Sequence, residues 1–414
     1  MRIPIPADFR PVFDDAAPGP SSVDLSASKY RVPLPLDSEK GVARVTETDD
    51  YEPIITQVPV PEETRPYNKL VVCVAFGDVK QELYAHGVAP YDAGVQKRYR
   101  ITQVSGLGVG LVVTEDHAPG SVIVRECPLL VMPLFVLAAN RAGIPVPSDL
   151  LVPAVKHLDD NEARLFRGLY NCHPTRGDEV EDLWNIMKTN AISIGSLPGF
   201  HGQYTAVYSD ICRINHSCSP NAIYGWDLQS FTGEVRASRL IKKGEEVFIT
   251  YIDNRGPYDV RQRQLQNTYN FTCACPACSL SEAERKRSDV RRSLLSRIWR
   301  SSPDSDVEAW MFDHKLPEDL IIKRFLRYAD IMEQEMLSDA QWITIARALV
   351  MAYSALREVE GAKKWAKKAK EASLAASGKD QGWSEIARAP ERTDWWGLRK
   401  LPVIPGATWT ITAI

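Results

Sequence analysis

The 414-residue chain is a quarter charged and 44% apolar, with a formal net charge of −3 and eight cysteines. That length accommodates two compact units and a tail, and the near-neutral charge gives no electrostatic reason for tight binding to nucleic acid or anionic membrane. No apolar run approaches the roughly 20 residues of a membrane helix, and the opening MRIPIPADFRPVFDDAAPGP lacks the apolar core of a secretory signal. A reducing, intracellular setting is therefore expected, in nucleus or cytoplasm, where cysteines serve as thiols and metal ligands rather than disulfides.

Residues 1–66 are rich in Pro, Asp, Glu and Ser and show little apolar periodicity, which predicts a mostly disordered region. Residues 67–97 form a lead-in whose one clear signal is the apolar run Leu70–Phe76, suited to a buried strand. From Tyr99 the chain is β-rich, broken by Gly106, Gly108 and Gly110, and Ser121–Met132 is predicted as a further strand. Helical spacing follows over about 155–195. Asp159 with Glu162 forms a capping box, Leu165 and Leu169 share a face, and Val180, Leu183, Trp184 and Met187 fall at i, i+3, i+4 and i+7. Strand character returns at Ala222–Asp227, Glu234–Ala237 and Glu246–Ile252, the last apolar on both faces.

From Ser281 the pattern is helical to about Ser377, with capping boxes at Ser281/Glu284 and Ser338/Gln341 and an apolar stripe through Trp342, Ile345, Leu349, Tyr353 and Leu356. Residues 281–414 are expected to form a tetratricopeptide-like helical lobe and tail, with Trp395, Trp396 and Trp409 docked on the body, although no 34-residue repeat is legible. The predicted class is α+β: a β-rich domain with an inserted helical lobe and a helical C-terminal lobe.

Two motifs carry the chemistry. Asn215-His216-Ser217-Cys218-Ser219-Pro220-Asn221 is followed by Cys273-Ala274-Cys275-Pro276-Ala277-Cys278. The second supplies three thiolates in six residues, one short of the tetrahedral set zinc prefers, and Cys218 is the candidate fourth ligand. A closed four-cysteine site has no open position, so such a metal is structural; buried free cysteines are the alternative. Gly106-Leu107-Gly108-Val109-Gly110 is not a dinucleotide loop, because a strand rather than a helix follows it. A bulged strand, or a segment whose backbone lies close to a ligand, both fit it. The basic runs at Arg285–Arg287 and Arg291–Arg292 lack interleaved aromatics and read as a solvated helix face.

In that order, INHSCSPN, KKGEEVFITY and YNFTCACPAC resemble the signature of SET-domain protein lysine methyltransferases, most closely the SET- and MYND-containing branch. The resemblance covers roughly residues 98–280. The MYND finger is missing: Cys127, His157, Cys172 and His173 do not have its spacing. The resemblance implies a SET fold over 98–280 with a zinc-binding post-SET segment at 271–278, holding one structural zinc on Cys218, Cys273, Cys275 and Cys278. It implies S-adenosylmethionine as methyl donor, contacted by Gly106, Leu107, Gly108, Asn190, Asn215, His216 and Phe271, with Tyr251 as catalytic residue. The implied reaction is in-line attack of a neutral lysine amine on the sulfonium methyl, which needs positioning more than acid–base machinery. The expected partner is a protein or peptide, histone or not, presenting a lysine to a monomeric enzyme; no membrane or specific nucleic-acid partner is expected. A catalytically silent SET scaffold is the alternative.

Overall fold

The apolar run at Leu70–Phe76 places strand β2 (Val71–Ala75), every residue of it buried. The computed structural model describes residues 54–58, 71–75, 78–88, 97–134, 136–137, 150–175, 177–200, 202–298, 303–337 and 341–401. Within the stretch expected to be disordered, Ile54–Val58 forms strand β1 and pairs antiparallel with β2. Alternation is weak there, so its strand character comes from its partner rather than from its own sequence. Helix α1 (Val79–Ala85) follows.

Strands β3 (Tyr99–Val104) and β4 (Gly108–Val113) form the glycine hairpin. Strands β5 (Val122–Glu126) and β6 (Leu130–Pro133) follow. The inserted helices are α2 (Leu151–Lys156), α3 (Asp160–Arg167) and α4 (Glu179–Asn190). The capping box is present: Glu162 N–H donates to Asp159 and the Glu162 carboxylate accepts the Asp159 N–H. Leu165 and Val180, expected on buried faces, are instead exposed, because each lies at the edge of a stripe already filled by Phe166, Leu183, Trp184 and Met187.

The second half supplies β7 (Ile192–Ser196), β8 (Gln203–Val207), β9 (Asn215–His216), β10 (Ala222–Asp227), β11 (Thr232–Ala237) and β12 (Phe248–Ile249). The main sheet runs β1-β2-β6-β8-β7, so the N-terminal strands extend it and the core begins well before residue 98. A second sheet runs β10-β11-β5. The strand expected over Glu246–Ile252 is only two residues long: Phe248–Ile249 pairs in parallel with the equally short β9, while the Val247 N–H donates to Leu111 O and the Phe248 N–H to Asn221 Oδ1. Thus Phe248 lies beside Asn215 and Ile249 beside His216, although more than 30 residues separate them in sequence.

Beyond β12, α5 (Tyr258–Tyr269) leads to the cysteine segment. The C-terminal lobe contains α6 (Glu282–Ile298), α7 (Pro303–Phe312), α8 (Leu320–Gln334), α9 (Gln341–Ala355), α10 (Val359–Ser377) and α11 (Trp383–Arg388). Helices α8, α9 and α10 pack about a core that includes Trp342, Ile345 and Leu349, and Trp395 packs against it. Ser338 and Trp409 lie outside the described residues. Among the described residues no helix is long and apolar enough to cross a membrane.

The lobe is joined to the core by a buried ionic knot. Arg292, fully buried on α6, donates to Glu335 at the end of α8 (2.8 Å), to Cys218 O (3.1 Å) and to Asn254 O. Glu335 also accepts from Ser288 and Arg291. Arg292 and Arg291 belong to the basic runs expected to be solvated. Burial of Arg292 is tolerated because its guanidinium donates both to a carboxylate and to backbone carbonyls.

Candidate active site

Gly106 and Gly108 take the left-handed φ values of 76° and 79° that turn the β3–β4 hairpin. At Gly110 the constraint is space: a Cβ there would stand 2.4 Å from Glu246 Oε1 and 2.9 Å from Asn215 Nδ2. That closeness lets Asn215 Nδ2 donate to both Glu246 Oε1 (2.7 Å) and Val109 O (3.2 Å), fastening the hairpin to β9.

His216 is enclosed by its own chain. The Tyr251 N–H donates to its Nδ1 at 3.0 Å, and its Nε2 lies 3.3 Å from Cys218 Sγ. Nδ1 is therefore the acceptor and Nε2 carries the proton. Burial lowers its pKa to about 4, keeping the ring neutral. With both nitrogens engaged, His216 can offer a ligand its backbone and ring face, but no ring nitrogen. Its ring lies between Tyr251 (5.3 Å between centroids) and Phe271 (6.2 Å).

The Tyr251 hydroxyl donates to Ile214 O at 2.5 Å, and burial raises its pKa well above the usual phenol range, so at neutral pH it is a donor. Tyr269 packs on it with centroids 5.0 Å apart. The sequence reading missed Tyr269, although it stands two residues before Phe271 in the same motif. Asn190, the last residue of α4, donates to Tyr170 O and Ile186 O, and its own carbonyl accepts from Cys212 Sγ at 3.2 Å. Cys212 also accepts the Tyr208 N–H, thus doing the bridging work of a hydroxyl.

These segments meet in one cavity of about 2610 Å³ between the core and the helical lobe. Gly106, Leu107, Gly108, Asn190, Asn215, His216, Tyr251 and Phe271 all line it, as does Tyr269. Pockets for a single small ligand usually measure roughly 300–1,000 Å³, so there is room for two molecules.

Behind the aromatic wall, the Sγ atoms of Cys218, Cys273, Cys275 and Cys278 lie within 4.8 Å of one another. A zinc ion about 2.3 Å from each of four sulfurs requires them to stand about 3.8 Å apart; Cys218 and Cys278 are 3.6 Å apart. Hydrogen bonds from Cys218, Cys273 and then Cys278 hold the Cys275 thiol far below its usual range. Bonds from Cys218 and Cys273 bring Cys278 down to about 7. Donors surround the cluster: His216 Nε2, the Cys275 N–H toward Cys273 Sγ, and the buried Arg261 guanidinium 3.9 Å from Cys278 Sγ. Four sulfurs at this spacing, ringed by N–H groups and one cation, fit a tetrahedral zinc thiolate.

A further residue with no obvious sequence signal orders the approach to β9. The Glu126 carboxylate accepts Asp210 N–H (2.9 Å), Ile211 N–H (2.6 Å) and Ser209 Oγ–H (2.9 Å), fixing the turn that enters Ile214-Asn215-His216. Burial pushes its pKa up to about 7, with a smaller contribution from Asp210. Asp210 itself is bonded to Lys97 and Tyr99. A carboxyl raised from an unfolded value near 4.3 stabilises the fold most below that value and loses the contribution as pH rises through about 7. Glu126→Gln should flatten this part of the slope. Denaturant midpoints of both proteins from pH 5 to 8 test it; parallel curves would show that Glu126 does not titrate there.

Residues 108–252 match the family model described as the SET domain. The chain carries a SET domain. It is 29% identical over 208 residues to the histone-lysine N-methyltransferase set5 of Schizosaccharomyces pombe, covering 50% of this chain and 58% of that one. It is 38% identical over 88 residues to the human N-lysine methyltransferase SMYD2, covering 21% and 20%. The chain thus spans between about a fifth and three fifths of the curated relatives it matches. A solved structure, the SET domain of LSMT bound to lysine and AdoHcy, aligns over 76% of this chain and 90% of that one. With 14% identity and a TM-score of 0.30, that superposition is too loose to guide residue assignments. The SET match ends at Ile252, so Tyr269, Phe271, Cys273 and Cys275 lie beyond it, yet they wall the same cavity.

Proposed function

We propose that the chain is an S-adenosylmethionine-dependent protein lysine methyltransferase, acting inside the cell on a protein or peptide that presents a lysine. The observation that carries this is the convergence of the glycine hairpin, Asn190, Asn215-His216, Tyr251 and Phe271 on one cavity large enough for a cofactor and a side chain. Gly106, Leu107, Gly108, Asn190, Asn215 and Phe271 would hold the cofactor, with His216 contributing its backbone and ring face. When bound, S-adenosylmethionine supplies an activated methyl group to a neutral lysine amine.

The protein's share is positional. Tyr251 and Tyr269 form an aromatic wall where a lysine stem would be dry, which favours the neutral amine. The Tyr251 hydroxyl, anchored on Ile214 O, is the polar group available to orient that amine. Zinc on Cys218, Cys273, Cys275 and Cys278 would hold the Phe271 segment against His216, a structural task outside the chemistry.

Asn215→Ala tests the cofactor site. It removes the amide that joins Glu246 to the β3–β4 hairpin, and S-adenosylmethionine affinity is expected to fall at least tenfold while zinc content stays unchanged. Calorimetry measures the first and metal analysis the second. A parent protein that binds no S-adenosylmethionine would overturn the proposal; an Asn215→Ala protein with parental affinity would remove that residue from the cofactor site.

A further inference from the structure

Four carboxylates line the cavity, and three of them have a cation at hand. Asp253 is bridged to Arg255 at 2.6 Å and Asp304 to Arg347 at 3.1 Å. Glu245 accepts the Lys242 N–H at 3.0 Å and attracts Arg239. No cation among the described residues pairs with the fourth, Glu246. Its Oε1 accepts from Asn215 Nδ2 at 2.7 Å, a neutral amide. The carboxylate is half-buried, and that burial pushes its pKa up, with only the Asn215 bond acting against it. It is also held in place. The backbone of Glu246 bridges Val112 of β4, its carbonyl accepts from Asn221 Nδ2 at 2.9 Å, and the missing Cβ of Gly110 leaves the space that Oε1 fills.

A carboxylate withdrawn from water is costly unless a cation or several donors offset it. Here one neutral amide does so, and the cavity lies beside it. Resting on the methyltransferase proposal, we infer that Glu246 binds the α-ammonium group of S-adenosylmethionine. The cofactor carries two cations, the ammonium and the sulfonium, and two considerations select the first. Glu246 precedes β12 whereas Tyr251 follows it, so the strand separates the carboxylate from the aromatic wall where methyl group and amine must meet. The sulfonium, moreover, loses its charge during methyl transfer, so a carboxylate beside it would hold the ground state more firmly than the transition state. The ammonium keeps its charge throughout. Glu246 is thus a binding residue and takes no part in the chemistry; it seats the amino-acid end of the cofactor against the glycine hairpin at Gly110.

The test compares the full-length protein with Glu246→Gln, in which the amide oxygen can still accept from Asn215 and only the charge is lost. Calorimetry gives Kd for S-adenosylmethionine, S-adenosylhomocysteine, S-adenosylhomocysteine deaminated at its α-carbon, and 5′-methylthioadenosine, which lacks the amino-acid group. The parent should bind S-adenosylhomocysteine about tenfold more tightly than its deaminated form, the scale of one charge-assisted bond. Glu246→Gln should bring that ratio within about twofold, weaken S-adenosylmethionine and S-adenosylhomocysteine alike, and leave methylthioadenosine unchanged. The deaminated ligand keeps only a negative charge, so the variant should bind it at least as well as the parent, which a misfolded protein cannot do. Glu246→Asp, which keeps the charge but withdraws it by one methylene, should give an intermediate ratio. Parental affinities equal for the two homocysteine ligands, or a ratio that persists in Glu246→Gln, overturn the inference. So does equal weakening of all four ligands, which marks a structural role, or a loss confined to S-adenosylmethionine, which places the charge at the sulfonium. Each of these outcomes leaves the methyltransferase proposal standing, whereas a parent that binds none of the four ligands sinks both.

Discussion

Tyr251→Phe is expected to lower single-turnover methyl transfer by about 100- to 1,000-fold, the scale of removing one preorganised hydrogen-bonding group from a reacting centre; with its O–H given to Ile214 O, the oxygen would orient the amine by accepting from it. The substitution deletes one oxygen and keeps the ring, so the contacts with His216 and Tyr269 survive. The hydroxyl is not idle in the resting protein, because it donates to Ile214 O immediately before Asn215. A stability loss of roughly 1 kcal/mol should accompany the rate loss. S-adenosylmethionine affinity should stay within a few-fold of the parent, since Asn215 and Phe271 are untouched. The decisive measurements are cofactor Kd by calorimetry and single-turnover transfer to a saturating peptide. Near-parental turnover would remove Tyr251 from the chemistry and leave it a wall residue. A large rise in cofactor Kd would show that its bond to Ile214 mainly shapes the cofactor site.

The second large effect concerns the cysteine cluster. One zinc per chain is expected, and Cys275→Ser should lose it along with soluble expression. Cys275 is one of the four cysteines whose Sγ atoms lie within 4.8 Å of one another. A serine there would leave three sulfurs and Arg261 arranged around a missing charge. Structural zinc contributes directly to folding, by about 10–16 kcal/mol in small zinc-binding peptides, as much as the whole stability of a typical domain. Chelation of the parent protein should therefore release the 271–278 segment before the distant helices, and protease cleavage near Phe271 would report it. Full zinc content in Cys275→Ser would mean that the ligand set is wrong. A parent protein with no zinc would mean that four thiols pack there without metal.

What could be read from the sequence follows from how local each signal is. The two cysteine motifs were legible because ligand identity and short spacing are carried by the residues themselves, and the capping boxes at Asp159 and Ser281 for the same reason. Strand β1 was not, because its five residues become a strand only by pairing with β2. Nor was the brevity of β12, since the neighbouring Val247 N–H is taken by Leu111 O rather than by β9. At the site, Asn215, His216, Tyr251 and Phe271 stood inside recognisable motifs, whereas Glu126 acts from a strand some 85 residues away through backbone N–H groups. No pattern in the sequence announces an acceptor for backbone groups that far off.

The Arg292 knot changes what counts as the smallest working piece of this protein. Residue 280 looks like a natural place to stop, since the cysteine motif has just closed and an uninterrupted run of helices begins. Yet the guanidinium that caps the carbonyls of Cys218 and Asn254 is twelve residues beyond that point, and the carboxylate that neutralises it is farther still, at Glu335. A chain cut at 280 would keep every residue assigned to cofactor and metal, but would bare the back of the metal loop to water. The helical lobe is thus the floor under the loop that carries Cys218 and Asn254, and the smallest piece that keeps this floor reaches at least to the end of α8.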